Sequence, residues 1–369
     1  MNIEQELKQL MATPSEPTPR DLRPYVMSVA TLLTADIPEK EFLISSFMPT
    51  ASFGMVYAPR GLGKTWFAMG LATALVEGRD TFLGWQIHKP GGALYIDGEM
   101  SLSDVRDRFR GLLKNKNLEQ LQILPSEKLY QDGKPICLDN PIEQESILEL
   151  LGKLKNDGLA PDLIILDNLS TLRRNINEND NSETQSLLDF LIGLRHRGYA
   201  VLLVHHTNKA GEQRGASILE VPMDYIIKLS KPQNSQIVFG DNPSFQVEFT
   251  KVRGKNPNKF PFVTTMEKDA DGTWGFNVDL DKSEVPDYII VLRAITETSI
   301  GLTQRNLSTK LGFAIGKTNK LVKRLRDESL LVGDIYTPSS RGLCELHDWF
   351  PQVFPKPEEY QTYQSEIPF

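Results

Sequence analysis

The residues best placed to do chemistry begin with Ala58-Pro59-Arg60-Gly61-Leu62-Gly63-Lys64-Thr65, followed directly by Trp66. Two spaced glycines ahead of a lysine and a hydroxyl are the residue types that hold a polyphosphate. Backbone N–H groups of such a turn, and of the helix it opens, wrap phosphate oxygens, and the helix dipole favours negative charge there. Lys64 brings an ammonium to the outer phosphates and Thr65 a hydroxyl ligand for Mg²⁺. Ala58 stands where the strict pattern has its first glycine. The flanks agree with the reading: Phe53 to Tyr57 is a short apolar run, while Trp66, Phe67, Met69, Leu71, Ala74 and Leu75 recur at helical spacing. Gly316-Lys317-Thr318 repeats the tripeptide as a coincidence, because Leu311 occupies the first loop position and no apolar strand feeds it. The first motif therefore implies ATP with Mg²⁺.

Three further segments end apolar runs in polar residues. Leu94-Tyr95-Ile96 leads into Asp97-Gly98-Glu99. Ligands of parallel sheets meet side chains at the carboxyl ends of strands, so Glu99 is the candidate general base for an attacking water. Asp97 supports the geometry or Mg²⁺; an ordinary charged loop is the alternative. Leu163-Ile164-Ile165-Leu166 delivers Asp167, the candidate Mg²⁺ carboxylate. Asn168 follows in place of a second acid, which leaves the base role with Glu99. Val201 to Val204 ends in His205-His206-Thr207, where His206 either senses the γ-phosphate or is a core histidine with its hydrogen bonds satisfied.

The elements that must position these residues follow from the same runs. Continuous apolar stretches at 93–96, 121–124, 163–166 and 200–204 suit strands buried on both faces of a mainly parallel sheet. Short strands at 245–250, 262–266 and 273–278 read as an antiparallel extension. The expected organisation is an N-terminal segment and linker over 1–41, an α/β domain over 42–280, a small helical module over 285–350 and a disordered tail over 351–369. At 369 residues, with 40% hydrophobic and 24% charged residues, the chain has an ordinary globular composition. Cys137 and Cys344 lie far apart without a CxxC partner, which points to a reducing, cytoplasmic setting with no disulfide or zinc framework. No apolar run reaches membrane-spanning length. A net charge of −7 argues against a protein that coats nucleic acid uniformly but leaves room for a basic patch.

Taken together, residues 58–65, Tyr95 to Glu99, Ile165 to Ser170 and His205 to Lys209 resemble RecA-like P-loop ATPases. Within that group they look most like plasmid RepA-type hexameric replicative helicases and their AAA-like relatives. The resemblance spans about residues 45–265 and extends to Asp167–Arg174, and to Arg214-Gly215-Ala216-Ser217 with Asp224. It implies a homo-oligomer, a hexamer, whose active site is completed in trans. Lys251-Val252-Arg253 fits the family's late Lys-x-Arg, with Arg253 as a finger on the neighbour's γ-phosphate, Lys251 as its companion and Arg214 as the rival. Such a finger commonly contributes about 10³–10⁵ in rate. The family's channel loops would place Arg173, Arg174 and Lys209 on single-stranded DNA. Glu178, Asp180 and Glu183 depart from a basic pore.

In the C-terminal module, an apolar helix at 288–295, a second helix at 303–311 and a basic helix at 315–327 are followed by two apolar stretches, 330–332 and 343–346. These are expected to pair as the wing of a winged helix-turn-helix, with Thr303 as an N-cap. Ile315, Leu321, Val322 and Leu325 face inward in this reading. Lys317, Asn319, Lys320 and Lys323 face outward, where lysines hold phosphates and Asn319 reads a base edge of duplex DNA. Docking onto a protein is the alternative for that face.

Overall fold

The apolar runs become strands, and most are covered on both faces. In a computed structural model, β1 (Ser52–Ala58), β2 (Ala93–Asp97), β3 (Leu121–Pro125), β4 (Leu163–Asp167) and β5 (Ala200–His206) run parallel. β6 (Tyr225–Ser230) joins β1 in parallel on its other side. β7 (Ser244–Val252), β8 (Phe262–Lys268) and β9 (Trp274–Asp279) then continue antiparallel, as the sequence led us to expect. All nine form one sheet in the order β9-β8-β7-β6-β1-β5-β4-β2-β3. The structure describes residues 20–115, 118–173, 181–207, 217–232, 243–254, 257, 261–279, 285–298, 303–333, 337–350 and 354.

Side-chain alternation along the strands builds two cores, one on each face of the sheet. Ala93 and Tyr95 point to the face covered by α1 (Lys64–Val76) and α2 (Leu102–Leu112). Leu94 and Ile96 point to the face covered by α3 (Pro141–Asn156) and α4 (Asn181–His196). Each fully buried Leu, Ile or Phe contributes about 1.5–3 kcal/mol, so both faces of the sheet add to its stability. α1 departs from a one-sided helix: every residue from Phe67 to Val76 is buried, with Phe82 and Phe276 packing near Gly70. Such all-round burial suits a helix at the centre of the molecule.

The chain divides into two compact units, Met1–Lys40 and Glu41–Phe369. In the first, Ser28 caps a short helix over Val29–Thr34 by accepting the Thr31 N–H at 3.0 Å. The second unit holds every described candidate site residue, and it contains a third, separate apolar cluster beyond residue 285. There α5 (Asp287–Glu297), α6 (Gln304–Leu311), α7 (Ile315–Asp327) and α8 (Ser340–Trp349) bury Leu292, Leu307, Val322, Leu325, Leu346 and Trp349 together. Thr303 caps α6 as expected, accepting the Asn306 N–H at 3.2 Å.

Two expectations for this module are corrected. Residues 343–346 are helical, and Leu331–Val332 pairs instead with Thr337–Pro338. The reason is a capping signal that outweighs the local alternation: Ser339 Oγ accepts the Gly342 N–H at 2.9 Å and starts α8, whose Leu346 and Trp349 then reach the core. Ile315 is 49% exposed rather than inward, because Thr318, Val322 and Leu325 already make the buried stripe of α7. Among the described residues, no helix is long and apolar enough to cross a membrane. Apart from Phe354, the tail from Pro351 lies outside the described residues.

Candidate active site

Parallel register brings segments far apart in sequence to one edge of the sheet. Ala58 lies opposite His206, and Asp97 opposite Asp167, so β1, β2, β4 and β5 end together. Their ends, with the first turn of α1, line a cleft of about 430 Å³. Arg60, Gly61, Gly63, Lys64, Thr65, Trp66, Asp97, Glu99, Asp167 and His206 all border it. Pro59 takes part through its carbonyl, while Leu62 turns into the core beside α1.

The loop owes its shape to glycine. Gly61 and Gly63 have φ of 76° and 102°, and a Cβ on Gly63 would also stand 2.9 Å from the Phe245 ring. Gly63 is the N-cap of α1, whose first N–H groups have no acceptor within the helix. Lys64 is buried, and its Nζ donates to the carbonyls of Ala58 at 3.0 Å and Pro59 at 2.9 Å. Burial lowers its pKa to about 8, against the opposing pull of Asp167 and Glu99. Two neutral carbonyl acceptors leave this ammonium able to take an anionic partner in their place.

Three carboxylates line the cleft with this lysine, each held differently. Asp97 is buried and accepts the Met100 N–H at 3.1 and 3.3 Å. It thereby shapes the turn that presents Glu99, and burial raises its pKa to about 6 despite those hydrogen bonds. Gly98 has no space for a side chain, since a Cβ there would lie 2.4 Å from Thr171 Oγ1. Glu99 is exposed at the cleft, and Asn168 Nδ2 donates to its Oε2 at 2.5 Å. Asp167 is buried and accepts hydrogen bonds from the hydroxyls of Tyr95 and Thr65. Burial raises its pKa, while those hydroxyls and Lys64 pull it back.

The Thr65 and Asp167 oxygens are hard donors that suit Mg²⁺, a cation that keeps several waters and takes its other ligands from phosphates. Among the described residues there is no cluster of three His, Cys, Asp or Glu that could hold a metal alone. His206 reaches the cleft at the end of β5, whereas His205, one residue earlier on the strand, is buried.

Other candidates lie elsewhere. Lys251 and Arg253 sit at the opposite end of the sheet, because β7 runs antiparallel and Val252 is level with Tyr225 and Gly54. Four strand residues separate that level from Ala58, roughly 13 Å. Lys251 Nζ donates to the carbonyls of Glu220 and Val221, and an Arg253 guanidinium N–H donates to Val221. Arg173 is held in an ion pair: its side chain is 10% exposed, with Nε 2.8 Å from Asp139 Oδ1 and the guanidinium near Thr184. Arg174, Lys209 and Arg214 lie outside the described residues. On α7, Lys317 is tied to Asp287 at 2.7 Å and lies over the Phe313 ring, while Asn319, Lys320 and Lys323 are exposed.

Sequence reasoning missed part of the cleft wall: Met100, Ser101, Asp104, Arg108 and the orienting amide of Asn168. Arg108 lies 5.3 Å over the Trp66 ring. A signal was present, since the N-cap Ser101, Asp104 and Arg108 form a polar stripe at helical spacing along α2.

This geometry defines a P-loop ATPase with a RecA-like α/β core. The family model described as "AAA domain" (AAA_25) matches residues 16–212, more than half of the chain, and the chain belongs to that family. The match spans the loop, Glu99, Asp167 and His206. Among solved structures, the flagellar accessory protein FlaH from Methanocaldococcus jannaschii is similar at 15% identity and a TM-score of 0.43. The similarity covers 64% of this chain and 91% of that one. No curated protein matches.

Proposed function

We propose that this protein couples Mg²⁺-dependent ATP hydrolysis to work on DNA, as a ring-forming replicative helicase of the RepA type belonging to a mobile element. Glu99 takes a proton from the water that attacks the γ-phosphorus, with Asn168 orienting its carboxylate. Lys64 and the amides of the loop bind the departing diphosphate, and His206 senses the γ-phosphate. Mg²⁺, held by Thr65 and Asp167, would neutralise developing phosphate charge.

The observation that carries the ring is the position of Lys251 and Arg253. They lie roughly four strand residues from the level of their own cleft, and in a head-to-tail ring they would serve a neighbour's cleft instead. In this reading residues 285–350 are a separate winged-helix domain, and α7 offers Asn319, Lys320 and Lys323 to duplex DNA. A second reading, an ATP-switched DNA-binding regulator or loader, draws support from the ion pair of Arg173 with Asp139, which engages one of the cations expected in the channel.

ATPase activity with and without single-stranded DNA, followed by strand displacement on a forked duplex, separates the two. Unwinding that disappears in Lys64→Ala supports the helicase. Stimulation without any displacement supports the switch, and no ATP turnover at all sinks both.

A further inference from the structure

We infer that Tyr95 is a positioning residue for the metal-holding carboxylate: its hydroxyl fixes Asp167 so that, together with Thr65, it meets the cation carried by the nucleotide. This inference rests on Asp167 being a metal carboxylate. Tyr95 is fully buried on β2, opposite Ile165 on β4 and two residues short of Asp167 along the strand. From there its hydroxyl reaches Asp167 Oδ2 at 2.5 Å, while its ring packs edge-on against Phe109 with centroids 5.7 Å apart. A carboxylate oxygen only accepts, so at this distance the phenol O–H is the donor.

A carboxylate has a broad, roughly two-fold torsional preference, so packing alone does not hold its plane. Asp167 receives one hydroxyl from each side of its environment, Thr65 from the nucleotide loop and Tyr95 from the sheet. Thr65 is itself a candidate metal ligand and must turn towards the cation when nucleotide binds. Tyr95 is then the protein partner that stays. Partners of this kind, acting through a ligand, typically change metal affinity by about 10–100-fold when removed.

The test is calorimetric binding of a non-hydrolysable ATP analogue across a Mg²⁺ series and in EDTA, with wild type, Tyr95→Phe and Phe109→Leu. Tyr95→Phe is expected to need roughly 10–100-fold more Mg²⁺ for half-maximal tight binding, with unchanged affinity in EDTA. Phe109→Leu loosens the ring packing but keeps the hydroxyl, so it is expected to lower the melting temperature and leave the Mg²⁺ midpoint in place. 4-Aminophenylalanine at position 95, which retains a donor, is expected to restore that midpoint and serves if Tyr95→Phe does not fold. Equal Mg²⁺ midpoints for Tyr95→Phe and wild type, or equal losses with and without Mg²⁺, overturn the role of Tyr95 alone. Wild-type binding that is indifferent to Mg²⁺ overturns the metal reading of Asp167 as well.

Discussion

Arg173 offers a sharp choice between a structural and a nucleic-acid role. Its side chain is 10% exposed and that of Asp139 is 4%, with Nε 2.8 Å from Oδ1. The second carboxylate oxygen, Oδ2, is buried without a hydrogen-bond partner among the described residues. Removing one member of such a pair strands a buried charge, so Asp139→Ala is expected to lower unfolding free energy by about 3–5 kcal/mol. Replacing both members by apolar residues, as in Asp139→Leu with Arg173→Met, removes both desolvation penalties and is expected to lie close to wild type. The orphaned Oδ2 makes that recovery more favourable, because the native pair is not fully hydrogen-bonded. Urea unfolding of the nucleotide-free protein reads the stabilities, and fluorescence anisotropy of labelled single-stranded DNA reads binding. The double variant should bind that DNA as wild type does. A cost below about 1 kcal/mol for Asp139→Ala, typical of an exposed pair, together with weakened DNA binding in the double variant, would refute the buried assignment.

Two further outcomes follow from the cleft. Glu99→Gln is expected to bind ATP but turn it over at least about 10²-fold more slowly, the usual contribution of a general base; wild-type-like steady-state hydrolysis would remove Glu99 from that role. Lys64, with a pKa of about 8 against an ordinary 10.5, is largely neutral above pH 8 in the free protein, whereas bound phosphates favour its charged form. Nucleotide binding at pH 9 should therefore take up a proton, and affinity should fall as pH rises above 8, with no Lys64-linked uptake well below that value. Calorimetry in buffers of differing ionisation heat measures the uptake, and its absence at pH 9 in wild type contradicts the shift.

The nucleotide loop was legible because its chemistry is local: glycines, lysine and hydroxyl occupy one turn, and the flanking runs declare a strand and a helix. Asp167 was legible because it ends an apolar strand, and Glu99 because it closely follows one. Their partners were not, since Asn168 reaches Glu99, and Tyr95 reaches Asp167, only after β2 and β4 pair. Arg173 read as a free cation because no sequence pattern ties it to Asp139, which arrives from the segment before α3. The alternation in Leu343-Cys344-Glu345-Leu346 suggested a strand, and the cap at Ser339 decided for a helix.

The most direct test of the central claim, a cleft completed by a neighbouring copy, is subunit mixing. Lys64→Ala lacks a working cleft and Arg253→Ala lacks the finger, so each alone should be inactive as an ATPase. In particles assembled from equal amounts, about one quarter of head-to-tail interfaces join an intact cleft to an intact Arg253. The account predicts that ATP turnover recovers to about that fraction of wild type. Mixed particles that regain nothing over either variant, or an Arg253→Ala protein that hydrolyses ATP normally by itself, would contradict it.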